Sequence, residues 1–169
     1  MHDPVVCKTD SGNYDLVQTG HSSGGDFLLL DRAKKAVVYV MEYEVRKLGS
    51  ITYASQVKIW HNDLKKYKLE TIGQKAVPAH VFDFLIKTYD AVITDRLQTE
   101  AGKGFWMNRL REAFATGKHV YKLEDQNGKN AKASKLPDYP ALQALEGHIW
   151  GDSVEYMNRR VAISKVKIW

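Results

Sequence analysis

The strongest constraint on this chain is the stretch "AVVYVMEYEVRKLGSITYASQVKIW", residues 36–60. Val37, Tyr39, Met41, Tyr43 and Val45 fall on one parity, while Glu42 and Glu44 fall on the other. That period of two belongs to a strand with two different faces. Gly49 and Ser50 interrupt it, and a second alternating run follows from Ile51 to Trp60. Two long strands joined by a short turn commit the first part of the chain to an antiparallel meander. Upstream, "PVVCK" reads as a short strand and "FLLLD" (27–31) as a buried one. The Gly- and Ser-rich "TGHSSGGD" (19–26) reads as a loop, and "RAKK" as a turn.

The character changes after Trp60. Residues 61–75 are polar and basic and end in "TIGQK". Pro78 suits a first helical turn, and Val81, Phe82, Leu85, Ile86 and Tyr89 then line one helical face. "DAVITD" is a short strand. Thr99 can cap a second helix, whose apolar stripe is Trp106, Leu110, Ala113 and Phe114 and whose stop is Gly117. "HVYKLED" (119–125) predicts a strand, "QNGKNAKASKLPDYP" (126–140) an exposed loop, "ALQALEG" a short helix and "RRVAISKVKIW" a last strand. "VKIW" recurs at 57–60 and 166–169, but no fixed period supports a solenoid. The expected fold is one α/β (α+β) domain over residues 1–169, with a mixed, mostly antiparallel sheet flanked by helices.

Composition narrows the function classes. At 169 residues the chain can bury a sizeable core without staples. Cys7 is the only cysteine, which excludes an internal disulfide and fits a reducing, cytoplasmic setting. No apolar run approaches the roughly 20 residues of a membrane span, so no membrane partner is expected. "MHDPVVCKTD" lacks a basic flank followed by an apolar stretch, so no signal peptide is expected either. The formal charge is +5; basic residues are spread along the chain, with local excess in residues 58–75, 96–111 and 127–135. Such a balance favours an anionic partner: a phosphate cofactor, nucleic acid or an acidic protein. The six histidines show no pair at ligand spacing, so no metal site is expected. Nucleophile-elbow, Walker and dinucleotide fingerprints are absent.

What remains is "TIGQKA" ahead of the helix at Pro78. A basic, glycine-bearing loop running into a helix N-terminus is the local arrangement that holds a pyrophosphate. Gly73 would let the backbone approach closely, and Lys75 or Lys68 could add charge. An ordinary helix after a loop explains the same residues. A second oddity is "DRLQTEAGKGFW" (95–106), where Gly102 and Gly104 weaken a first helical turn. Either a ligand or close helix–sheet packing would favour them.

With these elements in this order, residues 27–125 resemble the GNAT superfamily of acyl-CoA-dependent acyltransferases, and in particular the divergent GNAT-like proteins of bacteriophages. "DRLQTEAGKGFW" carries the likeness. The resemblance implies a phage-encoded protein of the host cytoplasm that moves an acyl group from acetyl-CoA or another acyl-CoA to an amine. The amine would belong to a protein or a nucleobase. On this resemblance "ITYASQVKIW" is the fourth strand, "AVITD" the fifth, and Gly73, Gln74, Lys75 and Ala76 the phosphate loop with Lys68 nearby. Thr99 and Trp106 stand beside the cofactor. Glu42, Glu44 and Asp95 become candidate bases and Tyr121 a candidate acid. Plainer roles are a solvated strand face for Glu42 and Glu44, and a turn-fixing role for Asp95. The family's loop begins with Arg or Gln and ends on Gly or Ala, whereas Glu70 to Lys75 here read Glu-Thr-Ile-Gly-Gln-Lys. The tyrosine often found on the last core helix is missing. These departures support a rival: a GNAT-shaped protein that binds a host protein or nucleic acid without catalysis. A third alternative is a purely electrostatic nucleic-acid binder. The oligomeric state is left open.

Overall fold

A computed structural model describes residues 6–48, 50–61, 70–94, 100–125, 131–150 and 159–168. Its strands and helices make a mixed α+β fold whose strand pairs are mostly antiparallel, with four helices among the described residues. The chain divides into two compact units, residues 1–47 with 54–88 and residues 48–53 with 89–169.

The first unit is built on the meander that the alternation predicts. Strands β1 (Val6–Lys8), β2 (Tyr14–His21), β3 (Gly24–Asp31), β4 (Ala36–Leu48) and β5 (Ile51–His61) are neighbours in chain order. The β2–β3 register, Tyr14 against Asp31 through His21 against Gly24, runs to the tip of a tight hairpin. The expected loop at 19–26 is therefore mostly strand. Its glycines serve close approach: a Cβ on Gly25 would lie 2.1 Å from the Thr19 carbonyl oxygen, so no side chain fits there. Along β4 the alternation holds for Tyr39, Met41 and Tyr43, all buried, but fails at Val37, which is 37% exposed. The reason is a bulge. Leu29 faces Tyr39 while Leu30 faces Val37, leaving Val38 as an extra residue that turns inward beside Tyr39.

A two-stranded hairpin, β6 (Thr71–Ile72) and β7 (Lys75–Ala76), leads directly into α1 (Val77–Thr88). A twelve-residue helix rich in Val, Phe and Ile is marginal alone. Here Val77, Val81, Phe82, Leu85 and Ile86 are buried, and each such burial contributes about 1.5–3 kcal/mol. Tertiary packing rather than propensity holds α1. Phe84 meets the edge of Phe27 of β3 with ring centroids 5.4 Å apart.

In the second unit the strand order is residues 51–53 of β5, then β8 (Ala91–Ile93), β11 (Arg159–Ser164), β9 (His119–Asp125) and β10 (Ala131–Leu136). Asp90 fixes the start of β8: its N–H donates to the Thr52 carbonyl and its carboxylate accepts the Thr52 N–H, both at 2.9 Å. Helix α2 (Glu100–Ala115) buries Trp106, Leu110 and Ala113. It ends in a Schellman arrangement, with Lys118 N–H on the Ala113 carbonyl and Gly117 N–H on that of Phe114. The expected loop at 126–140 is in fact partly β10, paired antiparallel with β9 from Ala131 against Asp125 to Leu136 against Val120. An end strand needs ladder hydrogen bonds more than apolar side chains, so "AKASKL" lacked the apolar signal. Asp138 then caps α3 (Tyr139–Ala144), accepting the Ala141 N–H, and α4 (Glu146–Ile149) follows. No helix of the described residues is long and apolar enough to cross a membrane.

Candidate functional site

The expected phosphate loop is a β-turn. Gly73 and Gln74 both have positive φ, 56° and 66°, as a two-residue type I′ turn between β6 and β7 requires. Successive N–H groups in such a turn point the same way and make a small anion-binding concavity. Its occupant belongs to the chain itself. The Asp10 carboxylate, in the turn after β1, accepts the Gly73 and Gln74 N–H groups at 2.9 Å each and the Thr71 hydroxyl at 2.5 Å. The Asp10 N–H also donates to the Thr71 carbonyl at 2.7 Å, and Ser11 donates to Glu70 at 2.5 Å. The Thr71 hydroxyl first, then the Gln74 and Gly73 amides, hold the Asp10 carboxyl below the ordinary aspartate range.

This places four of the expected cofactor residues together. Gly73 and Gln74 spend their amides on Asp10, Lys75 is ion-paired with Asp83 of α1, and Ala76 is exposed at the helix entrance. A second anion at the turn would meet the Asp10 charge directly. Lys68, Asp95 and Thr99 lie outside the described residues.

The candidate bases Glu42 and Glu44 share the outer face of β4, since Tyr43 between them is 3% exposed. Glu42 is exposed and lies directly opposite Asp26 of β3; Glu44 receives two hydrogen bonds from Arg46, at 2.6 and 2.9 Å. Both belong to the first unit. The second unit holds Tyr121 and Trp106. Tyr121 is fully buried beside Ile93, Leu123 and Ala162, and its hydroxyl accepts the Ile168 N–H at 3.1 Å. Trp106 is likewise buried, at 1% exposure. As an acid, Tyr121 would need a route for its proton that a core position does not provide. Gly104 is exposed, and a Cβ placed on it would meet nothing within 4 Å, so close packing is not what favours glycine there.

Two groups of residues escaped the sequence reading. Asp10 sits in "TDSGN", whose Asp, Ser, Gly and Asn are turn formers; that signal marks a turn but not a partner 63 residues away. The other group lies in the second unit, where Glu124 accepts from Lys122 at 2.6 Å and stands 3.5 Å from His148. The Lys122 hydrogen bond leads in lowering the Glu124 carboxyl, with His148 adding to it. Among the described residues no three His, Cys, Asp or Glu side chains gather as a metal would require. Compared with protein-family models, curated proteins and solved structures, the chain matches none of them.

Proposed function

We propose that this chain is a GNAT-like protein that works by binding a partner, nucleic acid or a host protein, rather than by acyl transfer. The observation that carries this reading is the Asp10 carboxylate seated on the Gly73 and Gln74 amides. Two N–H donors that would meet a pyrophosphate are saturated from within, by a group of the same charge as the ligand. The burial of Tyr121 and the pairing of Glu44 with Arg46 add support, because each leaves a candidate proton carrier engaged in structure. Calorimetric titration with acetyl-CoA and free CoA tests it. No heat at millimolar ligand is expected; micromolar affinity that disappears in Gly73→Glu would overturn it.

Acyl transfer is the second reading, and Gly104 favours it. An exposed glycine inside a helix costs about 1 kcal/mol relative to alanine, and nothing in the packing of α2 repays that cost. Room for a ligand near the start of α2 would explain it. The acceptor would then be an amine, of a nucleobase or a protein, and the donor an acyl-CoA.

A further inference from the structure

We propose that the face of the β9–β10–β11 sheet carrying Lys122, Lys132 and Arg159 binds the phosphate backbone of nucleic acid. The proposal rests on the binding reading for its partner class and adds the place and the chemistry. Strand register brings these cations together. Glu124 of β9 lies directly opposite Arg159 of β11 on one side and Lys132 of β10 on the other. Directly opposed residues in antiparallel strands share a face, and adjacent strands lie about 4.8 Å apart. Arg159 and Lys132 therefore flank Glu124 within roughly 10 Å, and Lys122 stands two residues along β9 on the same face. Lys122 bonds Glu124 at 2.6 Å, His148 of α4 lies 3.5 Å from the same oxygen, and Arg159 donates to the His148 carbonyl at 3.1 Å. Helix α4, which carries His148, also holds Glu146, ion-paired with Lys103 of α2 at 2.8 Å. Among these described groups four permanent cations face two carboxylates, a formal excess of +2 before His148 is counted.

The chemistry of the face selects the partner. Lys132 and Ser134 are exposed on the end strand β10, and Ser134 lies directly opposite Lys122. Protein interfaces centre on apolar or aromatic anchors. The one large hydrophobic side chain exposed among the described residues of this unit is Val166, beyond the end of β11. Further along the same face Val161, opposite Lys122, and Val120 are fully buried; at its open end lysine, arginine and a hydroxyl are donors that contact phosphates, and phosphate contacts carry no base readout. Binding should therefore be indifferent to sequence and steeply dependent on salt.

The test is fluorescence anisotropy of a labelled random-sequence duplex titrated with the full chain at several salt concentrations. Three phosphate contacts predict a slope of about −2.7 in log Kobs against log[salt]. Lys132→Gln, at an exposed position, should shallow the slope by about 0.9, and Arg159→Gln by a similar amount. Lys34→Gln, in the turn between β3 and β4 of the first unit, should leave it unchanged. No duplex binding at about 50 mM salt, or a slope in Lys132→Gln equal to the wild type, would overturn the proposal. So would tighter binding of poly-glutamate than of the duplex, which would make this a protein-docking face. Acyl transfer to a test amine with duplex binding intact would end the binding-only reading and leave this surface standing. Neither transfer nor duplex binding would do the reverse.

Discussion

Replacing Gln74 by glycine should stabilise the protein, although it removes a side chain. Gln74 holds a left-handed backbone at φ 66°, a conformation that costs a non-glycine residue about 1–2 kcal/mol. Glutamine is not among the residues that enter this region readily, so the hydrogen bonds that the Gly73 and Gln74 N–H groups donate to Asp10 must hold the turn in place. Glycine removes that cost and adds about 0.5–1 kcal/mol of unfolded-chain entropy. The exposed Gln74 side chain contributes little in the opposite sense. The balance is a gain of about 0.5–1 kcal/mol, which for a chain of this size raises the melting temperature by roughly 1–4 °C. Differential scanning calorimetry of Gln74→Gly, Gln74→Ala and Gly73→Ala provides the readout. Gln74→Ala should match the wild type, because alanine meets the same backbone requirement. Gly73→Ala should lose about 1 kcal/mol, since the left-handed cost there outweighs the entropy gain. A lowered melting temperature in Gln74→Gly would refute the argument and show that the glutamine side chain makes a contact worth more than the backbone relief.

Asp10 gives the first unit an acid-side liability. Its folded pKa is depressed, so its stabilisation is complete above the unfolded value and is lost as pH falls through the lower, folded value. Melting curves from about pH 6 to about pH 2 should show a shallower acid-side decline in Asp10→Asn than in the wild type; parallel declines would remove Asp10 from the account. Gly104→Ala should gain about 0.8–1 kcal/mol from helix propensity with no clash. A gain in urea stability together with weakened acyl-CoA binding would support a ligand near α2, whereas a loss of stability would contradict the open space at that position. Asp138→Ala should cost about 1 kcal/mol through the lost cap of α3. An unchanged urea midpoint would mean that this six-residue helix is held by packing alone.

Periodicity made the apolar framework legible. The inward row Tyr39, Met41 and Tyr43, the α1 face from Val81 to Ile86 and the Trp106–Leu110–Ala113 stripe all follow from spacing. Spacing could not show the bulge at Val38, which depends on the register of β3 against β4. Nor could it show β10, where Lys132, Ser134 and Lys135 hide a strand whose evidence is its hydrogen bonding to β9. The candidate site was legible as a position and not as a chemistry. Gly73 announced a turn, but the group that fills it is Asp10, joined only by the fold. The basic stretch at 127–135 read as part of an exposed loop, and only strand register sets Lys132 opposite Glu124, with Arg159 on the other side.

The place of β11 bears on how the chain is made. This strand, residues 159–164, lies between β8 and β9 in the second unit, although both precede it by 34 residues or more. During synthesis the first unit is complete once Thr88 has emerged, whereas β8 and β9 must wait for their shared neighbour. At about 5–20 residues per second the interval from Thr88 to Ser164 is roughly 4–15 s. Within it, from the synthesis of Leu123 to that of Ser164, Ala91–Ile93 and Val120–Leu123 both have their facing edges unfilled, for about 2–8 s. A nascent chain stalled within that window would present two apolar strands to the ribosome's surroundings, so this is the unit on which a holding chaperone would act.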